Sequence, residues 1–432
     1  MRKIGLVLLR YWLGISVSVI EIARALAADG WAVDVFIDQE TFSNAPIRFS
    51  TPNINVIVID VGSHSSYPPV ASLKRLTKSL LPIKLWDGLR SAKAWVQYWY
   101  LRFSKPDYSV GDFIGAYRIS WSPYLEVLIS HVAQGDYVAL IGIEPNGLMA
   151  AWYACHKADA RNTHVIYYNL ELLERRWNMS LMQRLLKDCE IVCSRGCDFT
   201  IIADEKRGNI FAKANGVDKA RLRYLPVSLA ESPVLSKGRY FRDLFNIPDN
   251  RRIVIYAGNI CAWGMCREII ESVSQWPAEY VLVMHTWRTD FSSDGYFREL
   301  VRLGDGERVF FSTQPVPHER VAEVLSSGDV GLAFYRPIDA NFMETGSSSN
   351  KLARYAQVGL PVIGNNLPSL RKVFEIYGSG VCIEDPDQIG EALAKIYLDY
   401  DSFRQGAFSS YRNHYNFAVA FEPILSELRR LN

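Results

Sequence analysis

The chain has 432 residues, 49% hydrophobic and 22% charged, a composition that builds packed cores and excludes a disordered chain. At about 150 residues per domain, this length predicts two or three domains. The net charge of +2 excludes a strongly basic protein whose main partner is nucleic acid, and no apolar run reaches the roughly 18 residues that span a bilayer.

Ile4 to Leu9 is a short apolar run ended by Arg10, with no small-residue cleavage site after it. It reads as a first strand (Lys3 to Leu9) rather than a signal peptide, and so predicts a cytoplasmic chain. Tyr11 to Ser18 is the turn that follows, and its Gly14 allows close backbone approach to a ligand. Val19 to Ala28 has helical spacing and Gly30 stops it. Trp31 to Ile37 is a second strand, ending at Asp38. This is a βαβ unit, although its turn is not a full G-x-G-x-x-G. Further strands are expected at Asn55 to Val61, Tyr137 to Gly142, His164 to Asn169 and Thr200 to Ala203. Strands alternating with helical patterns predict a parallel sheet covered on both faces, in a first domain spanning 1–228.

A polar linker with a short helix follows at 229–250, and the pattern then restarts. Strands are predicted at Arg252 to Tyr256, Tyr280 to His285, Arg308 to Phe311, Val330 to Phe334 and Pro361 to Gly364. Helices are predicted at Cys266 to Val273, His318 to Ser326 and Lys351 to Val358. They make a second α/β domain at 251–401, with a helical tail at 402–432. Two such sheets in series imply a cleft, with ligands held by loops just after the strands.

Several local patterns have plain explanations. The seven cysteines do not form a secreted disulfide framework, and Cys189, Cys193 and Cys197 recur every four residues, as thiols on one packing face of a helix do. Asp385-Pro386-Asp387 looks like a D-x-D metal motif. A helix N-cap with proline at the first helical position explains it without metal. Asn178 to Ser180 is a glycosylation sequon without meaning in a cytoplasmic chain. Residues 73–105 combine eight Lys or Arg with six aromatics and one acid, Asp87. That mixture fits either an anionic membrane surface or an ordinary helix pair with solvated lysines.

The most informative stretch is ETGSSSNKLARYAQVGLPVIG, from Glu344 to Gly364. Small hydroxyl residues run into a helix start near Asn350. The exposed N–H groups and dipole of such a start favour an anion such as diphosphate. Lys351 places a full positive charge in that first turn, where it is unfavourable unless something negative is bound.

This stretch resembles the donor-binding motif of GT-B fold glycosyltransferases, in particular the retaining family 4 (glycosyltransferase group 1 type). The matching residues are Ser349, Lys351, Leu352, Tyr355, Ala356, Gly359, Pro361, Val362 and Ile363. Around them, Tyr256 to Ile260, the strand ending at His285 and the run from Val316 to Val330 follow the family's order. The resemblance implies two Rossmann-like lobes facing across a cleft, with the C-terminal helix crossing back to the first lobe. It implies a metal-independent, hexosyltransferase-like enzyme that needs no cofactor. Such an enzyme moves a sugar from a nucleotide-sugar to a glycan or lipid-linked acceptor, with retention, in bacterial-type polysaccharide or glycoconjugate assembly. Membrane association, if residues 73–105 provide it, would be peripheral.

In that scheme Lys351 and the N–H groups around Ser348, Ser349 and Asn350 stabilise the leaving diphosphate. Gly258 and Asn259 lie beside the phosphates, and His285, Thr286, Trp287 and Val316 line the nucleoside pocket. Glu344 faces the sugar, while Glu144 and Glu171 orient the acceptor hydroxyl from the first lobe. Two departures stand out. Arg354 replaces the family's usual ribose-binding Glu, and Asn259 and Trp263 stand where many members have Arg and Lys. Cationic help at the phosphates is then expected from Lys351, joined by Arg354, Arg267 or Arg288. An epimerase of the same fold, or a non-catalytic subunit binding a nucleotide-sugar or glycan, are the alternative functions.

Overall fold

The computed structural model describes residues 2–11, 13, 16–44, 46–60, 122–176, 179–286, 294–304, 306–314 and 316–431. Gly14, Trp287, Arg288, Asn178 and the segment 73–105 lie outside them. The chain divides into two compact units, Met1–Leu225 with Phe421–Asn432, and Pro226–Ala420.

The first unit is built on seven parallel strands: β1 (Lys3–Leu8), β2 (Ala32–Asp38), β3 (Ile54–Ile59), β4 (Tyr137–Ile143), β5 (His164–Asn169), β6 (Phe199–Ile202) and β7 (Leu222–Tyr224). Their order is β3-β2-β1-β4-β5-β6-β7. The central strands are near-continuous apolar runs because helices cover both faces; Ile4, Leu6, Val7 and Leu8 are fully buried. The order reverses between β1 and β4, where Leu6 pairs with Ile141. Such a reversal opens a crevice at the carboxyl ends of the strands. The helix after β4, Glu144–Lys157, lies hard against β1: a Cβ on Gly147 would stand 2.2 Å from the Val7 carbonyl oxygen. No helix among the described residues is long and apolar enough to cross a membrane.

The second unit repeats the plan with six parallel strands: β8 (Arg252–Ala257), β9 (Tyr280–His285), β10 (Val309–Ser312), β11 (Val330–Ala333), β12 (Val362–Asn365) and β13 (Gly380–Ile383). Their order is β10-β9-β8-β11-β12-β13, reversing between β8 and β11. One apolar cluster, including Tyr256, Leu282, Leu332, Ile363 and Leu393, fills the core. The stretch read from sequence as a linker is part of this unit: Val227 N–H donates to Ser347 O and Leu229 N–H to Tyr415 O. The tail divides. Residues up to Ala420 stay with the second unit, and Phe421–Asn432 group with the first. There Arg429 forks onto Asp29, and Glu427 takes an ion pair from Arg223.

Candidate functional site

The second unit's switch point is made by the loop after β8, the loop after β11 and the start of helix Asn350–Gln357. Two devices lock that helix in place. Ser349 caps it, accepting from Leu352 N–H, and its hydroxyl is 2.6 Å from the Tyr335 hydroxyl just beyond β11. Tyr355, fully buried, donates to Ile255 O (3.1 Å) and accepts from Ala257 N–H (2.8 Å), pinning the helix to β8. Asn365 fixes the Tyr335 backbone with two hydrogen bonds, one from Tyr335 N–H and one to Tyr335 O.

These anchors carry Lys351 to the end of β8. Its ammonium lies 3.7 Å from the Tyr256 ring centroid and 5.3 Å from that of Tyr335. The Nζ is buried and has no hydrogen-bond partner among the described residues. Cation–π contact offsets part of the desolvation, by about 0.5–2 kcal/mol, but no carboxylate among the described residues pairs with the charge. Burial therefore pulls the Lys351 pKa down to about 8. Gly258 follows immediately after β8 with φ +142, and a Cβ there would sit 3.3 Å from Lys351 Cε. Its N–H donates to His285 O (2.9 Å), joining the ends of β8 and β9.

The hydroxyl loop is wired internally. Ser347 contacts His414 Nε2, and the Ser348 hydroxyl donates to Glu344 O. The N–H groups of Ser348 and Ser349, assigned to an anion from the sequence, both donate to Thr345 O, because the loop closes a turn before the helix begins. Among the N–H groups expected to face an anion, those of Asn350 and the adjacent Lys351 have no acceptor among the described residues.

The other expected cations point elsewhere. Arg354, buried, donates to Glu231 (3.2 Å) and Gln357 (3.1 Å) and is tied to the segment before β8 rather than to Lys351. Arg267 pairs with Glu271 and Glu299. Arg336, which the sequence reading did not single out, lies just after β11. It donates to Ala262 O and pairs with Glu268, bracing the loop that carries Trp263. Trp263 itself stacks on Tyr335 (6.4 Å, 7°) and tilts against Phe342 (5.2 Å), so an aromatic wall stands where a second cation was sought. Asn259 accepts from the Tyr256 hydroxyl through its carbonyl.

His285 ends β9 with its Nδ1 3.0 Å from the Ser312 hydroxyl, and burial holds its pKa down to about 4, so the ring is neutral. Thr286 is fully buried and its N–H donates to Ser312 O. Val316 lies in the loop beyond β10, half-buried. Glu344 follows the short helix Ala340–Met343 and is half-buried.

In the first unit Glu144 stands at the β4 end with φ +58, a left-handed conformation rare for a non-glycine residue. Its Oε1 accepts from Leu170 N–H (2.6 Å) and Glu171 N–H (3.0 Å), in the loop after β5. Burial nevertheless pushes its pKa up to about 8, with Glu171 and Glu190 adding to the rise. Glu171 is exposed and lies 3.3 Å from the buried Arg207. Tyr11, beyond β1, is electrostatically coupled to Glu144 and contacts Ser16. Nothing in its local sequence marked it; only the strand order brings it there.

Cys189, Cys193 and Cys197 are buried free thiols, and burial raises their pKa values. Asp385 makes a capping box with Gln388. Among the described residues no group of three or more His, Cys, Asp or Glu is arranged to hold a metal.

No protein-family model and no curated protein matches this sequence. Solved structures do match its fold over the full chain. HepE of Anabaena, crystallised with UDP-glucose, matches at TM-score 0.66 and 12% identity, covering 100% of both chains. Sucrose-phosphate synthase of Thermosynechococcus elongatus matches at 0.63 and 17%, covering 100% of this chain and 99% of that one. WaaG, a glycosyltransferase involved in lipopolysaccharide biosynthesis, matches at 0.61 and 12%, covering 98% of each. At these identities the likeness establishes the fold: two doubly wound α/β units in the GT-B arrangement of strands and helices.

Proposed function

We propose that this protein is a glycosyltransferase that moves a sugar from a nucleotide-sugar donor to a hydroxyl of a glycan or lipid-linked acceptor. The observation that carries this reading is Lys351: a buried ammonium with no hydrogen-bond partner among the described residues, at a helix start, beside Gly258, at the switch point of the second sheet. A buried charge without a partner is costly and is explained by an anion that completes it. HepE binds UDP-glucose on the same fold, and a nucleoside diphosphate is the anion that fits this reading.

In the transfer, negative charge grows on the leaving diphosphate. Lys351 Nζ and the N–H groups of Asn350 and Lys351 stabilise it, and His285, Thr286, Trp287 and Val316 line the nucleoside. Glu344 faces the sugar. On the first unit Glu144 and Glu171 orient the acceptor hydroxyl, and Glu144 takes its proton. Retention, metal independence, a cytoplasmic location and a membrane-facing role for residues 73–105 in polysaccharide assembly belong to the same reading.

A second reading has one observation behind it. A Listeria monocytogenes protein assigned as a UDP-N-acetylglucosamine 2-epimerase shares the fold at TM-score 0.53 and 11% identity, covering 99% of this chain and 96% of that one. Incubation with a panel of nucleotide-sugars separates the possibilities. Nucleotide release that accelerates with acceptor supports transfer. An isomerised donor supports the epimerase. Thermal stabilisation without turnover supports a binding subunit and removes the transferase reading.

A further inference from the structure

The peptide Leu170–Glu171, just beyond β5, has all four of its backbone polar groups held by side chains. Both N–H groups donate to Glu144 Oε1. Leu170 O accepts from Arg207 (2.9 Å), and Glu171 O accepts from Asn169 Nδ2 (2.9 Å). Behind Asn169 a relay runs inward. Asn169 Nδ2 also donates to the Tyr167 hydroxyl (2.9 Å), which donates to Glu190 Oε1 (2.7 Å). Glu190 Oε2 is 2.6 Å from Lys187 Nζ, which in turn donates to Asn215 (2.6 Å). Lys187, Glu190, Asn215, Asn169 and Tyr167 are all buried, at 2% exposure or less.

Burying an ion pair gains little stability over apolar residues of similar volume. A buried pair that ends on one solvent-facing dipeptide is instead suited to holding that dipeptide in a single place. Glu144 Oε1 is occupied by the dipeptide, whereas Oε2 accepts no hydrogen bond from the described residues.

We propose that Glu190, paired with Lys187 and acting through Tyr167 and Asn169, is a positioning residue that fixes the Leu170–Glu171 peptide and thereby holds Glu144 with one carboxyl oxygen turned to an acceptor hydroxyl. The proposal rests on the reading of Glu144 as the acceptor-side base. The groups acting on Glu144 are Tyr11 beyond β1, Tyr167, Tyr168 and Glu171 on β5 and its loop, and Glu190 on the helix Leu181–Arg195. Glu190 is a negative charge among them, so its neutralisation makes Glu144 ionise more readily.

The test is infrared titration of the full chain without any donor, taking wild type minus Glu144→Gln to isolate the Glu144 carboxyl band. Glu190→Gln is expected to lower the midpoint of that band by about half to one pH unit. Tyr167→Phe keeps every charge but cuts the relay, and is expected to move the protonated carboxyl band to higher frequency as its hydrogen bonds loosen. Midpoint and band position both at wild-type values would overturn the proposal. Where one variant fails to fold, the other decides alone. This readout needs no turnover, so a failed donor panel strikes the functional reading without touching it. Where a donor is turned over, the pH profile of Glu190→Gln should shift with the band.

Discussion

The two sheets reverse direction in the same way, yet their switch points are finished oppositely. In the first unit the end of β4 presents an acid, and the loop beside it is satisfied by surrounding side chains down to each backbone group of Leu170 and Glu171. In the second unit the end of β8 faces a cation flanked by two aromatic rings and without a hydrogen-bond partner among the described residues. The contrast separates two uses of one architecture. A fully wired switch point holds a group still; one left a single charge short suits the ligand that the proposed function places there. Both residues are pulled by burial toward neutrality, Glu144 upward and Lys351 downward, to about 8 in each case. Near that pH the charge states of the two points change together.

Replacing Lys351 should have the largest effect. A nucleoside diphosphate at a thousandfold excess over its dissociation constant stabilises its binder by about 4 kcal/mol. Lys351→Met is expected to remove most of that thermal shift and to lower turnover by roughly a hundredfold or more. The ligand-free protein should become more stable by roughly 1 kcal/mol, since an unpaired buried charge is gone. Scanning calorimetry with and without UDP reads both. In the wild type the ammonium is charged below about 8 and neutral above it, so the UDP shift should fade as pH rises through that value. A shift that survives in Lys351→Met would mean the second switch point is as complete as the first.

Gly258→Ala comes next. The substitution forces alanine into φ +142 and sets a Cβ 3.3 Å from Lys351 Cε. Strain of this kind costs about 1–3 kcal/mol, and nucleotide affinity should fall roughly tenfold as the lysine is pushed aside. Titration calorimetry with UDP, alongside thermal unfolding, checks both numbers.

On the first sheet, Glu144→Gln removes the acid but keeps its shape. A carboxyl whose folded pKa is raised stabilises the protein while protonated, and that contribution is lost as pH rises from the unfolded value of 4.5 through about 8. The wild type should therefore lose stability over that window and the variant should not. At saturating donor, where the bound diphosphate keeps Lys351 charged, turnover in the wild type should rise through pH 8 as Glu144 ionises. In the variant it should be well below the wild type above that pH, with the rise at pH 8 gone. Parallel pH profiles of the two proteins would move Glu144 out of the chemistry and leave it as a loop anchor.

The fold was largely legible because buried parallel strands write themselves as apolar runs. His164–Asn169 and Tyr280–His285 have the predicted boundaries, and most others agree within two residues. The elements missed are those whose text is short or mixed. Leu222–Tyr224 and Gly380–Ile383 are edge strands of three and four residues. Gly295–Leu303 and Pro368–Tyr377 bury only part of one face. At the site, the sequence yielded Lys351 and Gly258 through a motif with a physical meaning. It did not reveal which N–H groups the Thr345 turn consumes, nor that Arg336 braces the Trp263 loop, nor that Tyr11 lies within electrostatic range of Glu144. The first is a local turn that small hydroxyl residues do not announce; the other two depend on which strands are neighbours, and neighbours in a doubly wound sheet are distant in the chain.

The smallest effect is expected at Arg354, and it tests how far the incompleteness of the second switch point extends. If that point lacks only the charge balancing Lys351, a cation three residues further along the same helix has no part in it. The geometry agrees: Arg354 is held by Gln357 and by Glu231, whose side chain is 38% exposed. Arg354→Gln shortens the donor and loosens its contacts with Glu231 and Gln357, so the stability cost should be about 1–3 kcal/mol. The UDP-dependent thermal shift should change by less than the error of the measurement. A loss comparable to that of Lys351→Met would show that the guanidinium leaves Glu231 for the ligand, and the second switch point would then be two charges short rather than one.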